Sequence, residues 1–170
     1  MNWLGIDYGE KRIGLALVAE LLAPEARAGF PSCPRALGTL VRKGREDALA
    51  RLVETVRSEA VTRVVVGVPL APDGGLGLRG TQARNFARAL AQRLEVPVVL
   101  QDERDSSREA TERLVAMGVP QKKRAERVDA MAAVIILERH LQDGCPLARV
   151  LVPPPDGGEG AEPLSGGATE

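Results

Sequence analysis

The 170-residue sequence is poor in aromatic side chains, with one Trp, one Tyr and two Phe. Proteins that read single-stranded nucleic acid usually stack the bases on several exposed rings. The shortage argues against that mode of binding, so we expect any nucleic-acid partner to be held through its phosphates and its shape.

Cysteines are also few, and long apolar runs are absent. Cys33 and Cys145 lie far apart and match neither a zinc-binding nor a thioredoxin-like spacing. The opening MNWLGIDYGEKR has no basic stretch followed by a long apolar run, and no segment approaches the roughly 18 apolar residues of a membrane span. We therefore expect a protein of the reducing cytoplasm with no membrane partner.

The net charge of +0 conceals an uneven distribution of charge along the chain. The segment 153–170 contains four acidic residues, no Lys or Arg, and much Pro and Gly, and we predict that it is a disordered tail. Residues 1–152, predicted to form one domain, hold all 23 Lys and Arg but 19 of the 23 Asp and Glu, a net charge of +4. This mild basicity is compatible with a polyanionic partner.

The pattern of apolar residues predicts three leading strands followed by alternating strands and helices. Strands are predicted at 1–8 and 13–18, within 29–41, at 63–68 and 96–101, and in a short final segment at 149–152. Helices are predicted at 45–60, 81–94, 106–117 and 128–143, the third beginning with a Ser106–Glu109 capping box. This order predicts a single α/β domain with a five-stranded mixed sheet flanked by helices, the RNase H-like arrangement.

Three acidic residues stand where core elements begin or end. Asp7 ends the first strand, Glu103 follows the 96–101 strand, and Asp129 is predicted in the first turn of the last helix. Singly, each has an ordinary explanation, a turn residue for Asp7 and a helix-dipole partner for the others. The helix after Asp129 is apolar on nearly every face, however, so a carboxylate there needs a cation, hydrogen bonds or a metal. Because such element ends can converge at one sheet edge, we predict one catalytic, metal-binding site.

Clustered carboxylates indicate a hard divalent cation, Mg²⁺ or Mn²⁺. Two such ions about 4 Å apart can orient an attacking water and stabilise the leaving oxygen in phosphodiester hydrolysis. The lack of a His and Cys cluster argues against zinc, and we interpret the one histidine, His140, as a surface or packing residue. The predicted activity is that of a two-metal hydrolase.

Basic residues flank these acids along the sequence. We interpret eight of them as a rim that binds nucleic-acid phosphates: Lys11, Arg12, Arg79, Arg84, Lys122, Lys123, Arg124 and Arg127. For any one of them, an ordinary solvated surface explains the charge about equally well. The glycine-rich loop 73–80 lacks the Gly-Lys-Ser/Thr of a Walker A motif. It is either a flexible connection or a segment that presents backbone N–H groups to a phosphate.

Five ordered blocks resemble the YqgF/RuvX family across residues 2–143. They are GIDYGEKRIG at 5–14, VVVGVPLAPDG at 64–74, RGTQARNFA at 79–87, QDER at 101–104 and KKRAERVDAMAAVIIL at 122–137. The resemblance implies an RNase H-like fold related to Holliday junction resolvases of the RuvC type, with members described as such resolvases or as nucleases that mature the 5′ end of pre-16S rRNA. The family's acidic positions fall on Asp7, Glu103 and Asp129.

The chain departs from the family after QDER. It has Asp105-Ser106-Ser107 where the family has an apolar residue followed by Ser or Thr and then Thr. Asp105 is either a fourth carboxylate at the metal or a local change beside the helix start, and we favour the second.

The leading interpretation is a cytoplasmic, metal-dependent nuclease that acts on structured RNA in pre-16S rRNA maturation and meets ribosomal precursor particles. Cleavage of branched DNA as a Holliday junction resolvase is the close alternative, since both reactions use the same carboxylates. A non-catalytic RNA-binding ribosome-assembly factor is a third. An ATP-binding protein of the actin and Hsp70 group needs two such domains, and 170 residues supply one. We expect a monomer or a weak homodimer; a dimer favours the resolvase, whose symmetric cuts need two sites.

Overall fold

The computed structural model describes residues 1–19, 33–143 and 150–151. The elements in chain order are β1 (Asn2–Tyr8), β2 (Arg12–Ala19), β3 (Arg35–Val41), α1 (Arg45–Ser58), β4 (Val61–Val68), α2 (Leu78–Ala91), β5 (Val98–Asp102), α3 (Ser106–Ala116), α4 (Gln121–Asp143) and β6 (Val150–Leu151). The predicted order of elements is confirmed. The predicted tail at 153–170 and Cys145 lie outside the described residues, and the domain limit at 152 stays a prediction.

The strands form one mixed sheet in the order β3-β2-β1-β4-β5-β6. β1 pairs antiparallel with β2 and parallel with β4, and β4 pairs parallel with β5. The five predicted strands are confirmed, and the two-residue β6 adds a short antiparallel pairing to β5. Because β1, β4 and β5 run in the same direction, their carboxyl ends meet at one edge of the sheet.

Alternate residues of the strands face opposite sides of the sheet, and each side is covered by different helices. On one side, Leu4 and Ile6 of β1 belong to a large apolar cluster with residues of α1 and α2. On the other side, Val65 of β4 packs against α4, and α4 in turn packs against α3. Gly5 faces α4, and Asp7, two residues further along β1, therefore faces the same side.

The last helix is longer than predicted. α4 begins at Gln121, so the segment 121–127 is helical rather than a basic loop, and Asp129 lies in the helix interior rather than in its first turn. Lys, Arg, Gln and Glu are good helix formers and make up most of the segment 121–127. The helix therefore begins directly after Pro120, ahead of its apolar part. The Lys123 N–H donates to the Pro120 carbonyl at 2.9 Å and closes the first turn.

The predicted capping box at the start of α3 is wrong. Asp105 occupies the cap position with a left-handed φ of 61°, and Ser106 is the first helical residue. Among the described residues no side chain caps this helix end, because Glu109 turns toward Arg113 and Arg139 instead. α2 also starts earlier than predicted, at Leu78. Within the described ranges no helix is both long enough and apolar enough to cross a membrane.

Candidate active site

The carboxyl ends of β1 and β5 bring Asp7 and Glu103 together on the α4 side of the sheet. Asp7 is 9% exposed, and the two carboxyl groups lie within hydrogen-bonding reach of each other. Gly67 of β4 leaves the space between them, because a Cβ there would collide with Oε2 of Glu103 and with Ile136 of α4. A residue without a side chain on the central strand is thus what allows the two acids to meet.

Burial and nearby carboxylates change the acidity of this pair. Burial and the neighbouring Asp129 carboxylate raise the pKa of Asp7 to about 6, against the lowering effect of its hydrogen bond with Glu103. Burial and the adjacent Asp7 raise the pKa of Glu103 to about 9. The guanidinium of Arg79 acts in the opposite direction on both groups. The pair therefore retains a proton at neutral pH unless a cation replaces it.

Asp129 reaches the same region from α4. The helix lies so close to β2 that a Cβ at Gly14 would collide with the Asp129 backbone carbonyl. Gly14 is also the register partner of Asp7, which places Asp129 beside the pair. Burial raises the pKa of Asp129, against the opposing effect of Arg12, whose Nε lies 2.8 Å from Asp129 Oδ2.

The donors at this edge fit a hard divalent cation. All are carboxylate oxygens, and Oε2 of Glu103 is buried without a hydrogen-bond partner among the described residues. The three carboxylates do not yet surround one point, however: in the described ranges no three His, Cys, Asp or Glu side chains form a group that could hold an ion. Asp7 and Glu103 form a close pair, and Asp129 stands next to it, engaged with Arg12.

Comparison with known proteins identifies the lineage of this chain. A family model described as "RuvX: Holliday junction resolvase" matches residues 1–143. The chain belongs to the RuvX family.

Two relatives of this RuvX family member carry the name "Putative pre-16S rRNA nuclease". The protein from Anaeromyxobacter dehalogenans (strain 2CP-C) is 44% identical over 146 residues, which cover 86% of this chain and 100% of the relative. The protein from Syntrophus aciditrophicus (strain SB) is 40% identical over 141 residues, which cover 83% of this chain and 88% of the relative.

A solved structure, "T. thermophilus RuvC in complex with Holliday junction substrate", shares the fold. Its TM-score is 0.53 at 20% sequence identity, covering 87% of this chain and 99% of that chain. The RNase H-like fold predicted from the order of elements is thus confirmed, as is the family resemblance. The family membership and the names of the relatives also support the predicted nuclease function.

The predicted basic rim of this RuvX family chain is distributed over three places. Arg12 and Arg79 act on the acids directly, as described above. Arg84 of α2 is partly buried, and its Nε has no hydrogen-bond partner within the described part of the chain. Of the remaining members, Lys11 lies in the β1–β2 turn, and the other four lie in the first turns of α4: Lys122, Lys123, Arg124 and Arg127. All are exposed except Arg124, which is half-buried. Arg124 has a structural role, because its Nε donates to the Val119 carbonyl at 2.8 Å.

Asp105 lies away from the pair of acids. Its side chain is 67% exposed and faces Arg108 at 3.9 Å. The carboxylate beside Glu103 in the sequence is Asp102, the last residue of β5, which raises the pKa of Glu103 and is itself bound by Arg104 Nε at 2.8 Å. The interpretation of Asp105 as a local change beside the helix is the one that the structure favours.

His140 lies in the protein interior. It is 7% exposed, its Nδ1 is 3.3 Å from Oε1 of Gln101, and its ring packs edge-on against Trp3. Burial and the charge of Arg63 lower the pKa of His140. It is therefore a packing residue, the second of the two alternatives that the sequence left open.

Arg42 is a residue of the site region that sequence reasoning missed. Its Nη1 donates to the Gly9 and Glu10 carbonyls at 2.9 and 2.8 Å, and its guanidinium lies over the Tyr8 ring. Tyr8 also packs against Phe86 of α2. Arg42 thereby fixes the turn that follows Asp7. Nothing in the local sequence around Arg42 indicates this role, because the contact joins the residue after β3 to a turn more than thirty residues away.

Proposed function

We propose that this protein is a metal-dependent nuclease that hydrolyses phosphodiester bonds in structured RNA during maturation of the 5′ end of pre-16S rRNA. The observation that carries the proposal is the Asp7–Glu103 pair, in which Oε2 of Glu103 is buried without a hydrogen-bond partner among the described residues. Pressing two carboxylates together costs free energy, and a divalent cation offsets that cost. Such a costly arrangement at the carboxyl ends of parallel strands is typical of a catalytic site.

The carboxylates of Asp7, Glu103 and Asp129 are the groups that would hold one or two ions, Mg²⁺ or Mn²⁺. Such ions, when bound, supply an activated water and a counter-charge for the leaving oxygen. The chain's own contribution is position: β1 and β5 hold Asp7 and Glu103 on a rigid sheet, and α4 holds Asp129 against β2. Arg79 adds a positive charge that attracts the scissile phosphate toward the acids.

The start of α4 supplies a second phosphate-binding surface. Lys122, Lys123 and Arg127 lie in its first turns, and the first turn contains no acidic residue. Cations at the positive end of a helix dipole are unfavourable by themselves. An anionic partner such as the backbone of a folded RNA reverses that penalty, which is a reason to assign these residues to nucleic-acid binding.

Holliday junction cleavage is the second candidate, favoured by the family description and by the shared fold with RuvC. The same carboxylates would serve it, so the two candidates differ in substrate shape and in oligomeric state rather than in chemistry. We infer a monomer or weak dimer for the RNA reaction, in the cytoplasm and on ribosomal precursor particles. A stable symmetric dimer would favour the junction.

A non-catalytic assembly factor is the third candidate. Such a protein needs phosphate-binding side chains but gains nothing from a buried pair of acids whose pKa values are raised. Replacement of either acid by a neutral residue would relieve the repulsion, so a vestigial site has no physical reason to keep both.

The test is cleavage of two labelled substrates, a precursor 16S 5′-leader RNA and a four-way DNA junction, each with Mg²⁺ and with Mn²⁺. Asp7→Asn is the active-site variant, and Glu109→Gln, which removes a carboxylate that pairs with Arg113 and Arg139, is the matched control. Cutting of the RNA by wild type and E109Q but not by D7N supports the proposal. Symmetric cutting of the junction alone would show that the substrate is branched DNA. Binding of either substrate without cutting would support the non-catalytic assembly factor.

A further inference from the structure

Arg12 pairs with Asp129, the third carboxylate that the pair of acids would need to complete the metal site. Its Nε lies 2.8 Å from Asp129 Oδ2, and that oxygen is buried. The contact is an ion pair without the alignment of a hydrogen bond. Elsewhere at this edge Oε2 of Glu103 remains without a partner, and no group of three ligands forms within the described residues. Asp129 is thus paired with a cation of the protein instead of completing a set with Asp7 and Glu103.

The sheet fixes this pairing. Arg12 and Gly14 stand two residues apart on β2 and so face the same side, the side on which α4 lies against Gly14. Asp129 is the α4 residue at that contact. The Arg12 side chain is nevertheless 41% exposed, whereas that of Asp129 is 21% exposed. A phosphate in solution can therefore reach the guanidinium, and Arg12 has two alternative anionic partners.

We propose that Arg12 couples nucleic-acid binding to metal binding, by pairing with Asp129 in the free protein and with a substrate phosphate in the complex. Release of Asp129 then allows this carboxylate to join Asp7 and Glu103 around the ion. The inference rests on the proposed metal-dependent nuclease function and adds to it an order of events. The protein holds its metal weakly until nucleic acid is present, which limits hydrolysis to bound substrate.

The coupling is reciprocal. If phosphate binding at Arg12 raises the affinity for the ion by some factor, the ion must raise the affinity for nucleic acid by the same factor. Because only one partly exposed ion pair is exchanged, we expect this factor in affinity to be about ten. Guanidinium groups suit this exchange, because they bind carboxylates and phosphates with the same planar set of donors.

The experiment measures Mn²⁺ affinity by electron paramagnetic resonance at 4 °C, with and without a saturating four-way DNA junction that is checked on a gel for integrity. Wild type is compared with Arg12→Gln, with Asp7→Asn and with Lys43→Gln. Lys43 is an exposed cation outside the basic rim, so K43Q removes the same charge without touching Asp129. Without the junction, we expect R12Q to bind Mn²⁺ about tenfold more tightly than wild type and K43Q to resemble wild type. The junction should tighten Mn²⁺ binding by wild type and K43Q but not by R12Q.

Two results would overturn the role of Arg12 alone. Either R12Q and wild type have the same Mn²⁺ affinity, or R12Q and K43Q gain equally in affinity while R12Q still responds to the junction. The second result would show a general effect of charge. If wild type binds Mn²⁺ no better than D7N in either condition, the metal site itself is wrong, and the coupling fails with it.

Discussion

Two groups of carboxylates on the α4 side of the sheet differ in how their charges are balanced. In the first, Asp7 and Glu103 face each other, with Arg79 as a more distant cation. The second is an ion-pair network between α3 and α4, in which Arg113 contacts Glu109 at 2.7 Å and Glu138 at 2.6 Å, and Arg139 contacts Glu109 at 2.9 Å.

The pKa values record this difference. Glu109 is partly desolvated, yet its hydrogen bonds to Arg139 and Arg113 lower its pKa. Glu103 has the same side chain, but burial and the adjacent Asp7 raise its pKa to about 9. The network holds α3 on α4 at little cost, whereas the Asp7–Glu103 pair destabilises the metal-free fold. The Asp7–Glu103 pair, whose charges are not balanced by close cations, is therefore the group with a function beyond stability.

The largest expected difference between the groups is in catalysis. Asp7→Asn keeps the shape of the side chain but removes a carboxylate ligand, and we expect the rate of cleavage to fall on the order of 10⁴-fold. Glu109→Gln should leave the rate within about twofold, because the Glu109 carboxylate pairs with Arg113 and Arg139 of the network. Single-turnover kinetics with saturating Mg²⁺ measure both. Equal losses of cleavage rate in the two variants would show that the two groups of carboxylates do not differ in their importance for catalysis.

Added metal should stabilise the protein through the Asp7–Glu103 pair and not through the ion-pair network. At a Mn²⁺ concentration of about 100 times the dissociation constant, we expect a gain near 2.7 kcal/mol in the free energy of unfolding. The gain should disappear in Asp7→Asn and persist in Glu109→Gln. Thermal unfolding with and without EDTA measures it. A Mn²⁺-dependent shift that survives in D7N would place the ion elsewhere.

Without metal, Glu103→Gln should make the protein more stable, not less. The pKa of Glu103 is raised from about 4.5 when unfolded to about 9 when folded, so the folded state holds the proton more tightly. The stability that this proton supports is therefore complete below pH 4.5 and is lost as the pH rises toward 9. Gln cannot ionise, so E103Q should gain on the order of 2 kcal/mol at pH 8 and show a flatter pH dependence.

Denaturant unfolding in EDTA between pH 5 and about pH 9 tests this expectation. The gain of E103Q over wild type should grow with pH. A variant that is less stable than wild type at pH 8 would mean that Glu103 makes a favourable contact in the metal-free protein, although its Oε2 has no hydrogen-bond partner in the described part of the chain.

The fold could be predicted because apolar periodicity records which side of each element is buried. The continuous apolar runs of β4 and β5 and the helical spacing of α1 each depend on local sequence. The start of α4 could not be predicted in this way, because the polar segment 121–127 has the composition of an exposed loop as much as of an exposed helix.

The candidate site was predictable in part. Asp7 lies at the carboxyl end of β1 and Glu103 directly follows β5, and these two strands flank β4 in the parallel part of the sheet, so the proximity of the two acids follows from topology. The pairing of Asp129 with Arg12 does not follow from it, because it depends on the close approach of α4 to β2 at Gly14. Glycines in strands are the signal that could have indicated this approach, since a missing Cβ marks a place where another backbone comes near.

The smallest expected effect belongs to the ion-pair network. Glu109→Gln should cost about 1 kcal/mol in the free energy of unfolding at pH 7, because partly exposed ion pairs are screened by solvent. The pKa of Glu109 is lowered, so its stabilising contribution is present above the unfolded pKa and is lost as the pH falls through the folded value. Wild type and E109Q should thus converge in stability in acid, and their difference at pH 7 should shrink in 1 M salt. This is opposite in sign to the pH dependence expected for E103Q. A difference that instead grows toward acid would show that Glu109 stabilises the helix pair through packing and not through charge.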